Sequence, residues 1–195
     1  MAGAGKGLHA GEGRAGRGRR SQTQPQPPGP ALTRRLGPAE LAALRAAAEA
    51  SPRRRAHLEL HAGGADDALQ RFLVGMLPGS YVRAHRHVQA HKLELTACLA
   101  GAFELLLFDD RGALLERQGL AVDGNGLCLV QIPPNTWHSL IVREGFAVLL
   151  EVKLGPYEAA SDKDFAPWAP VEGSAEADHC LRWLHGAVAG QRYLA

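Results

Sequence analysis

Two histidines separated by one residue lie in a segment with the composition of a β-strand. His85 and His87 belong to the run YVRAHRH, and because side chains alternate along a strand they point to the same face. A separation of about 7 Å lets two imidazoles converge on one ion. Glu94 begins the next strand-like run, which returns antiparallel, and His138 follows a Pro-Pro-Asn turn. Together these residues predict one divalent metal ion: iron, manganese, nickel, cobalt or zinc.

Further side chains extend the predicted site towards a substrate. By strand parity Tyr81 and Arg83 share the face of the two histidines, and the forked guanidinium suits a carboxylate or phosphate. The other candidate substrate contacts are Gln70, Lys92, Lys153 and Tyr157. His91 is the alternative to Glu94 as a ligand. The sequence offers no obvious pair of residues for general acid–base work, so the catalytic residues are left unassigned.

The elements that must position these residues begin at about residue 69. Short runs rich in Val, Leu, Ile and Phe are separated by turn signals such as Pro78-Gly79 and Asp123-Gly124, at a spacing of roughly 8 to 12 residues. This rhythm predicts an antiparallel sandwich or barrel of about eight strands. The intervals lack long helical stretches, which argues against a parallel α/β fold.

The chain divides into four predicted segments. Residues 1–35 form a disordered basic tail rich in Gly, Arg and Pro. Residues 36–66 hold a helix, with Pro38 in its first turn, and a lead-in. Residues 67–173 form the barrel with a C-terminal aromatic loop, and residues 174–195 form a short helix with apolar residues at helical spacing.

The aromatic loop DKDFAPWAP follows the last strand-like run. Loops this long often act as lids or binding segments. Tyr157, Phe165 and Trp168 are therefore candidates to cover the barrel mouth or stack on a sugar ring, and the alternative is packing across the outside of a sheet.

Charge and cysteine content limit the classes of function. Residues 1–35 carry seven basic and one acidic side chain, a net charge of +6, whereas the remaining 160 residues carry 15 basic and 19 acidic side chains, a net charge of −4. The predicted barrel therefore has no excess of basic residues for nucleic acid. Three widely spaced cysteines do not indicate a disulfide framework. The sequence shows no membrane span and no secretory leader, which leads us to expect a cytoplasmic protein.

Two blocks of the sequence resemble the two cupin motifs. The blocks are Gly79-x5-His85-x-His87-x6-Glu94-x6-Gly101 and Pro133-x-Asn135-x-x-His138. Six residues separate His87 from Glu94 where cupins usually have three or four, and Asn135 replaces a glycine. Asparagine tolerates the left-handed conformation that such a turn needs.

Over about residues 36 to 173 the chain resembles the WbuC-type cupin-fold metalloproteins. The segments that carry this resemblance are SPRRRAHLELH, YVRAHRH, FDDRG, IPPNTWH and DKDFAPWAPVEG. The family is associated with bacterial O-antigen and surface-polysaccharide gene clusters. The resemblance implies a mainly β fold, a single jelly-roll-like cupin barrel with an N-terminal helix and a short C-terminal helix, and one bound metal.

Three functions fit this prediction. The first is a metal-binding cupin that binds or acts on a sugar or nucleotide sugar, by isomerisation or epimerisation. The second is an iron-dependent dioxygenase, because three histidines and one glutamate leave two positions of an octahedron for substrate and dioxygen. The third is a non-catalytic metal and ligand-binding module. A homodimer is expected from cupins in general.

Overall fold

Two antiparallel sheets of five strands form the body of the structure, a computed structural model that describes residues 33–124 and 126–194. The strands, numbered in chain order, are β1 (Arg55–Glu59), β2 (Leu69–Met76), β3 (His85–Arg86), β4 (Glu94–Ala100), β5 (Ala102–Phe108), β6 (Leu114–Ala121), β7 (Leu129–Ile132), β8 (Trp137–Ile141), β9 (Ala147–Leu154) and β10 (Asp164–Phe165). The predicted tail lies outside the described residues except for its last three.

The strand orders show how the chain moves between the sheets. The first sheet has the order β1-β2-β9-β4-β7 and the second has the order β10-β3-β8-β5-β6. Except for the pairs β1–β2 and β5–β6, strands that follow one another in the chain thus fall in different sheets, as in a jelly roll. The prediction of a mainly β cupin-type barrel is confirmed.

Two strands were not predicted. β1 follows the Arg53-Arg54-Arg55 corner, in the segment interpreted as a lead-in, and pairs with β2 over five residues. β10 is a two-residue strand within the aromatic loop and pairs with β3. β10 depends on a partner strand that precedes it by about 80 residues, and β1 is short and directly follows basic residues, so local composition gave little indication of either.

Two helices cover the sheets, as predicted. α1 (Pro38–Ala50) begins where the Glu40 carboxylate accepts a hydrogen bond from the main-chain N–H of Gly37 at 2.8 Å. Its Leu44 packs with buried residues of the first sheet. α2 (Ala175–Gly186) begins at Ser174, whose hydroxyl accepts from the N–H of Ala177, and buries Leu184 against the second sheet. No helix among the described residues is long and apolar enough to cross a membrane.

The interior changes from apolar to polar along the strands of the first sheet. The inward positions of three paired strands form layers: Val74, Leu149 and Cys98; then Phe72, Glu151 and Thr96; then Gln70, Lys153 and Glu94. The first layer belongs to the apolar core between the sheets. The last layer is entirely polar and buried. The barrel therefore has an apolar core at one end and buried polar side chains at the other.

The motif turns have the backbone that their residues predict. Asn135 has a φ of 62°, so it takes the left-handed conformation expected of it. Gly101, between β4 and β5, has a φ of 66°, and a Cβ there would lie 2.4 Å from the carbonyl oxygen of Phe146. Glycine at this position lets the chain turn tightly from one sheet to the other.

Candidate metal centre

Three buried imidazoles meet at the polar end of the barrel. His85 on β3 lies directly opposite His138 on β8 in the strand register, and their ring centroids are 4.4 Å apart. His87 follows β3. One ligand atom from each of the three histidines lies within 4.8 Å of the other two. Spacing that fits a single ion is thus present in the fold, as expected for metal ligation.

The hydrogen bonds of the rings orient them for ligation. Each Nδ1 faces a main-chain carbonyl oxygen, and the three oxygens belong to Arg83 for His85, Thr136 for His138 and Asp162 for His87. A carbonyl oxygen only accepts, so the Nδ1 atoms carry protons. The Nε2 atoms of His85 and His138 are then left with lone pairs, the arrangement of metal-bound histidine.

Burial favours the neutral form that binds metal. It is the main cause of the lowered pKa of His138, and it holds the pKa of His85 well below its ordinary value. The Nε2 of His138 is buried and has no hydrogen-bond partner within the part of the chain that the structure describes. A buried polar atom seldom lacks a partner, and a bound cation would supply one.

Glu94 reaches the histidines despite the six-residue separation. Its Oε2 lies 3.0 Å from the Nε2 of His87 and 3.7 Å from the Nε2 of His138, and Thr96 donates to its Oε1 at 3.2 Å. Burial alone would raise the pKa of Glu94, but its contact with the His87 ring and nearby positive charge hold it well below the usual range. The carboxylate is thus ionised and next to three imidazoles. His91, the alternative ligand, is exposed.

The site opens into a cavity of about 590 Å³. Of the four candidate ligands, His85 lines this cavity, and β1, β2, β9 and the aromatic loop contribute the other walls. The charged lining residues are the cations Arg53, Arg55, Arg83, Lys153 and Lys163 and the carboxylates Glu59, Glu151, Asp162 and Glu172. A space of this size fits a small molecule.

Four of the six predicted substrate contacts line this cavity: Gln70, Arg83, Lys153 and Tyr157. Tyr81 instead packs in the apolar cluster beneath α2, with its hydroxyl donating to the carbonyl oxygen of Pro170 at 3.0 Å. Only His85 and Arg86 form strand β3, so the alternation does not extend back to Tyr81. The ammonium of Lys92 donates to Asp162 and to the carbonyl oxygen of Pro156, outside the cavity lining.

Sequence reasoning missed Asp162. Its carboxylate is 1% exposed and lies 3.2 Å from the ammonium groups of both Lys92 and Lys153. Its carbonyl oxygen faces Nδ1 of His87. Asp162 therefore connects the aromatic loop to the metal centre. The only local signal was the charged triplet Asp-Lys-Asp before the aromatic residues.

Histidines without a predicted role also line the cavity. His57 and His61 come from β1 and the segment after it. His57 is exposed as a residue, but the protein packed around its ring lowers its pKa by desolvation, and the nearby carboxylate of Glu151 opposes that shift. The alternating pattern of β1 would have placed His57 on the inner face if the strand itself had been recognised.

The aromatic loop divides between the two locations considered for it. Phe165 on β10 lines the cavity, with its ring centroid 6.2 Å from that of His85. Trp168 packs on Phe108 on the outer side of the second sheet, with ring centroids 5.0 Å apart. One end of the loop therefore forms the cavity wall, and the other anchors it to the barrel.

Comparison with known proteins gives one family model and a set of solved structures of similar fold. A family model described as a domain of unknown function, DUF6016, matches residues 36–120. No curated protein matches the chain. The chain is similar in fold to a number of solved structures. The observed topology defines its class as a mainly β protein with a jelly-roll-like barrel.

The first of three such structures is a protein from Shewanella oneidensis, at 13% identity and a TM-score of 0.43, with 51% of this chain and 63% of that one aligned. The second is a cupin superfamily protein from Desulfitobacterium hafniense DCB-2, at 16% identity and a TM-score of 0.39, over 51% and 76% of the two chains. A recombinant oxalate oxidase in complex with glycolate aligns at 16% identity and a TM-score of 0.45, over 65% and 62%. The chain spans less than two thirds of the first and third of these proteins.

Proposed function

We propose that His85, His87, His138 and Glu94 bind one divalent metal ion and that the adjacent cavity holds its small-molecule ligand. The observation that carries this proposal is the convergence of four buried ligand groups, one with an unpartnered Nε2, of which His85 also lines the cavity. Imidazole and carboxylate ligands suit the first-row divalent metals. When bound, such an ion would supply Lewis acidity to a ligand oxygen.

The proposed ligand is a sugar or nucleotide-sugar-type molecule. The cavity is rich in hydrogen-bonding groups, and Phe165 offers an aromatic face in its wall. The resemblance to the WbuC-type proteins supports a role in surface-polysaccharide metabolism. A metal-dependent isomerase or epimerase also needs a group to move a proton. His57 is the cavity residue best suited, because it faces the cavity and desolvation of its ring lowers its pKa, which favours the neutral imidazole that can accept a proton. The homodimer and the cytoplasmic location remain predictions.

Metal analysis of purified variants tests the centre. We expect one divalent ion per wild-type chain and loss of most of it in His85→Ala/His87→Ala. Glu94→Gln should weaken metal retention by about 10-fold or more, because it removes an anionic ligand. His91→Ala is the matched control and should retain the ion, since His91 is exposed in the segment between His87 and Glu94. Wild-type metal content in the double variant would refute the assignment.

A panel of sugars and nucleotide sugars then separates the three functions. Turnover without oxygen dependence supports an isomerase or epimerase. Bound iron with oxygen uptake supports the dioxygenase, and saturable binding without turnover supports a binding module.

A further inference from the structure

Most cations of the cavity wall are already neutralised by carboxylates. The guanidinium groups of Arg53 and Arg55 lie 2.9 and 2.7 Å from the Glu172 carboxylate. The Lys153 ammonium lies 3.0 Å from Glu151 and 3.2 Å from Asp162. These three side chains thus have protein partners and have little capacity left for an anionic ligand.

Two cations differ from the others. Lys163 makes no hydrogen bond and no ion pair to any described residue. The guanidinium of Arg83 donates only to the main-chain carbonyl oxygens of Ala169 and Ala166, at 2.9 and 3.4 Å, and no described carboxylate lies within 4.0 Å of it. Both positive charges face the cavity without a counter-charge bonded to them.

The two cations lie on the side of the cavity that holds the metal centre. The Arg83 guanidinium stacks 5.0 Å from the ring centroid of Phe165, and that ring is next to His85. Lys163 precedes Phe165 by two residues and follows Asp162, which contacts His87. A ligand group between Lys163 and Arg83 would therefore be close to the metal while another part of the molecule fills the cavity.

The charge balance of the wall also favours an anion. Five cationic and four carboxylate side chains line the cavity, which leaves an excess of one positive charge. Lys163 is exposed as a residue, yet the protein packed around its ammonium lowers its pKa, with desolvation as the main cause. An anion bonded to this group would compensate for that desolvation.

We propose that Lys163, together with Arg83, binds the anionic oxygen group of the cavity ligand, a carboxylate or a phosphate. This inference rests on the proposed function, because it assumes that the cavity holds a small molecule. It restricts the sugar-type ligand to sugar acids and sugar phosphates. Lys163 is a specificity-determining residue in this proposal, and the metal ligands do not include it.

Lys163 allows a clean test because its substitution breaks no hydrogen bond and no ion pair to a described residue. Lys163→Gln should change the free energy of unfolding little, because the desolvation of the ammonium and its attraction to nearby carboxylates are lost together, whereas truncation of Arg83 would break bonds to the main chain. Lys163→Arg restores the charge. Arg182→Gln, on the exposed surface of α2, removes one positive charge far from the cavity wall and controls for net charge.

The experiment is calorimetric titration of acetate, of inorganic phosphate and of neutral acetamide at constant ionic strength. We expect at least one of the two anions to bind wild-type protein, Lys163→Gln to weaken that binding by about 10-fold or more, and Lys163→Arg and Arg182→Gln to retain it. Acetamide should not bind. The better of the two anions distinguishes a carboxylate ligand from a phosphate ligand.

Titrations of metal-loaded and chelated protein separate this inference from the proposed function. An anion held by Lys163 binds in both forms, whereas one held by the metal alone needs the ion. If metal-replete wild-type protein binds neither anion, the inference is wrong. It is also wrong if Lys163→Gln binds the anions as tightly as wild type does, and neither result contradicts the metal centre. If wild type holds no metal, the proposed function fails instead.

Discussion

At the scale of single residues, the candidate metal centre depends on polar groups that are buried with partners. Asp162 is the main example, since it is 1% exposed and pairs with two ammonium groups. Burial would raise the pKa of its carboxyl, but the charges of Lys153 and the other nearby cations hold it below the ordinary value. The carboxylate is therefore ionised and holds the loop against the barrel.

Replacing Asp162 should damage both stability and metal affinity. Asp162→Asn leaves Lys92 and Lys153 as buried ammonium groups with reduced pairing, so we expect a loss of about 3 kcal/mol in the free energy of unfolding. Metal affinity should also fall by about 10-fold, because the loop carbonyl no longer holds His87 in place. Denaturant melts and competition with a chelator measure the two effects.

The matched control is Asp164→Asn in the same loop. Asp164 pairs with Arg86 at 2.8 Å, but its side chain is 43% exposed, so the expected loss is at most about 1 kcal/mol. Equal effects of the two substitutions would contradict the role given to Asp162.

At the scale of elements, the turn between β4 and β5 connects the two sheets through a closely packed glycine. Gly101 has a positive φ, and the carbonyl oxygen of Phe146 occupies the place of a Cβ. Gly101→Ala should therefore lower the free energy of unfolding by about 2 kcal/mol or more. Gly119→Ala on β6 is the control, since a Cβ there meets nothing within 4 Å. Similar melting of the two variants would show that this turn is not constrained.

The attachment of the segment after the aromatic loop to β1 should be sensitive to acid. Burial would raise the pKa of Glu172, but the hydrogen bonds from Arg53 and Arg55 lower it overall. A carboxyl whose pKa is lower in the folded state than in the unfolded state stabilises the fold at a pH above the unfolded-state pKa. This contribution is lost as the pH falls through the folded-state pKa.

We therefore expect Glu172→Gln to cost about 1 kcal/mol at neutral pH. The difference from wild type should shrink below about pH 4, where the wild-type carboxyl is itself protonated. Urea melts of both proteins between neutral pH and pH 3 would measure this. A difference that is constant over the range would exclude the ion pairs as its cause.

At the scale of the whole molecule, one end of the barrel supplies stability and the other supplies the site. Phe103, Leu105 and Leu149 fill the space between the sheets, whereas the opposite end buries charged and imidazole groups around the cavity. Burial of ionisable groups with imperfect pairing costs free energy. A metal ion bound there would stabilise the whole domain, since it binds only the folded state.

Chelation should therefore lower the melting temperature of the wild-type protein. At a free metal concentration of about 100 times the Kd, the ion contributes about 2.7 kcal/mol, a shift of several degrees for a domain of this size. His85→Ala/His87→Ala should melt at the same temperature with and without chelator. Scanning calorimetry measures both, and an equal shift in the two proteins would place the bound ion elsewhere.

Part of the candidate site could be predicted from local sequence patterns. The spacing of His85 and His87, the turn before His138 and the strand-like start at Glu94 specified the candidate ligands, and the structure brings all four together. The alternation argument failed for Tyr81 because the chain is not a strand before His85. Strand β1 was not predicted, because its alternating run is only five residues long and directly follows basic residues.

The sequence by itself determined the fold class, the two helices and the four candidate ligands, because strand alternation, turn residues and helix formers act over neighbouring positions. The cavity and its charges were decided only by the tertiary structure. Asp162 meets Lys92 and Lys153 across 70 and nine residues, and Arg83 meets the carbonyl oxygen of Ala169 across 86. Which charges are neutralised, and which are left facing the cavity as at Lys163, follows from contacts between distant segments that no local pattern encodes.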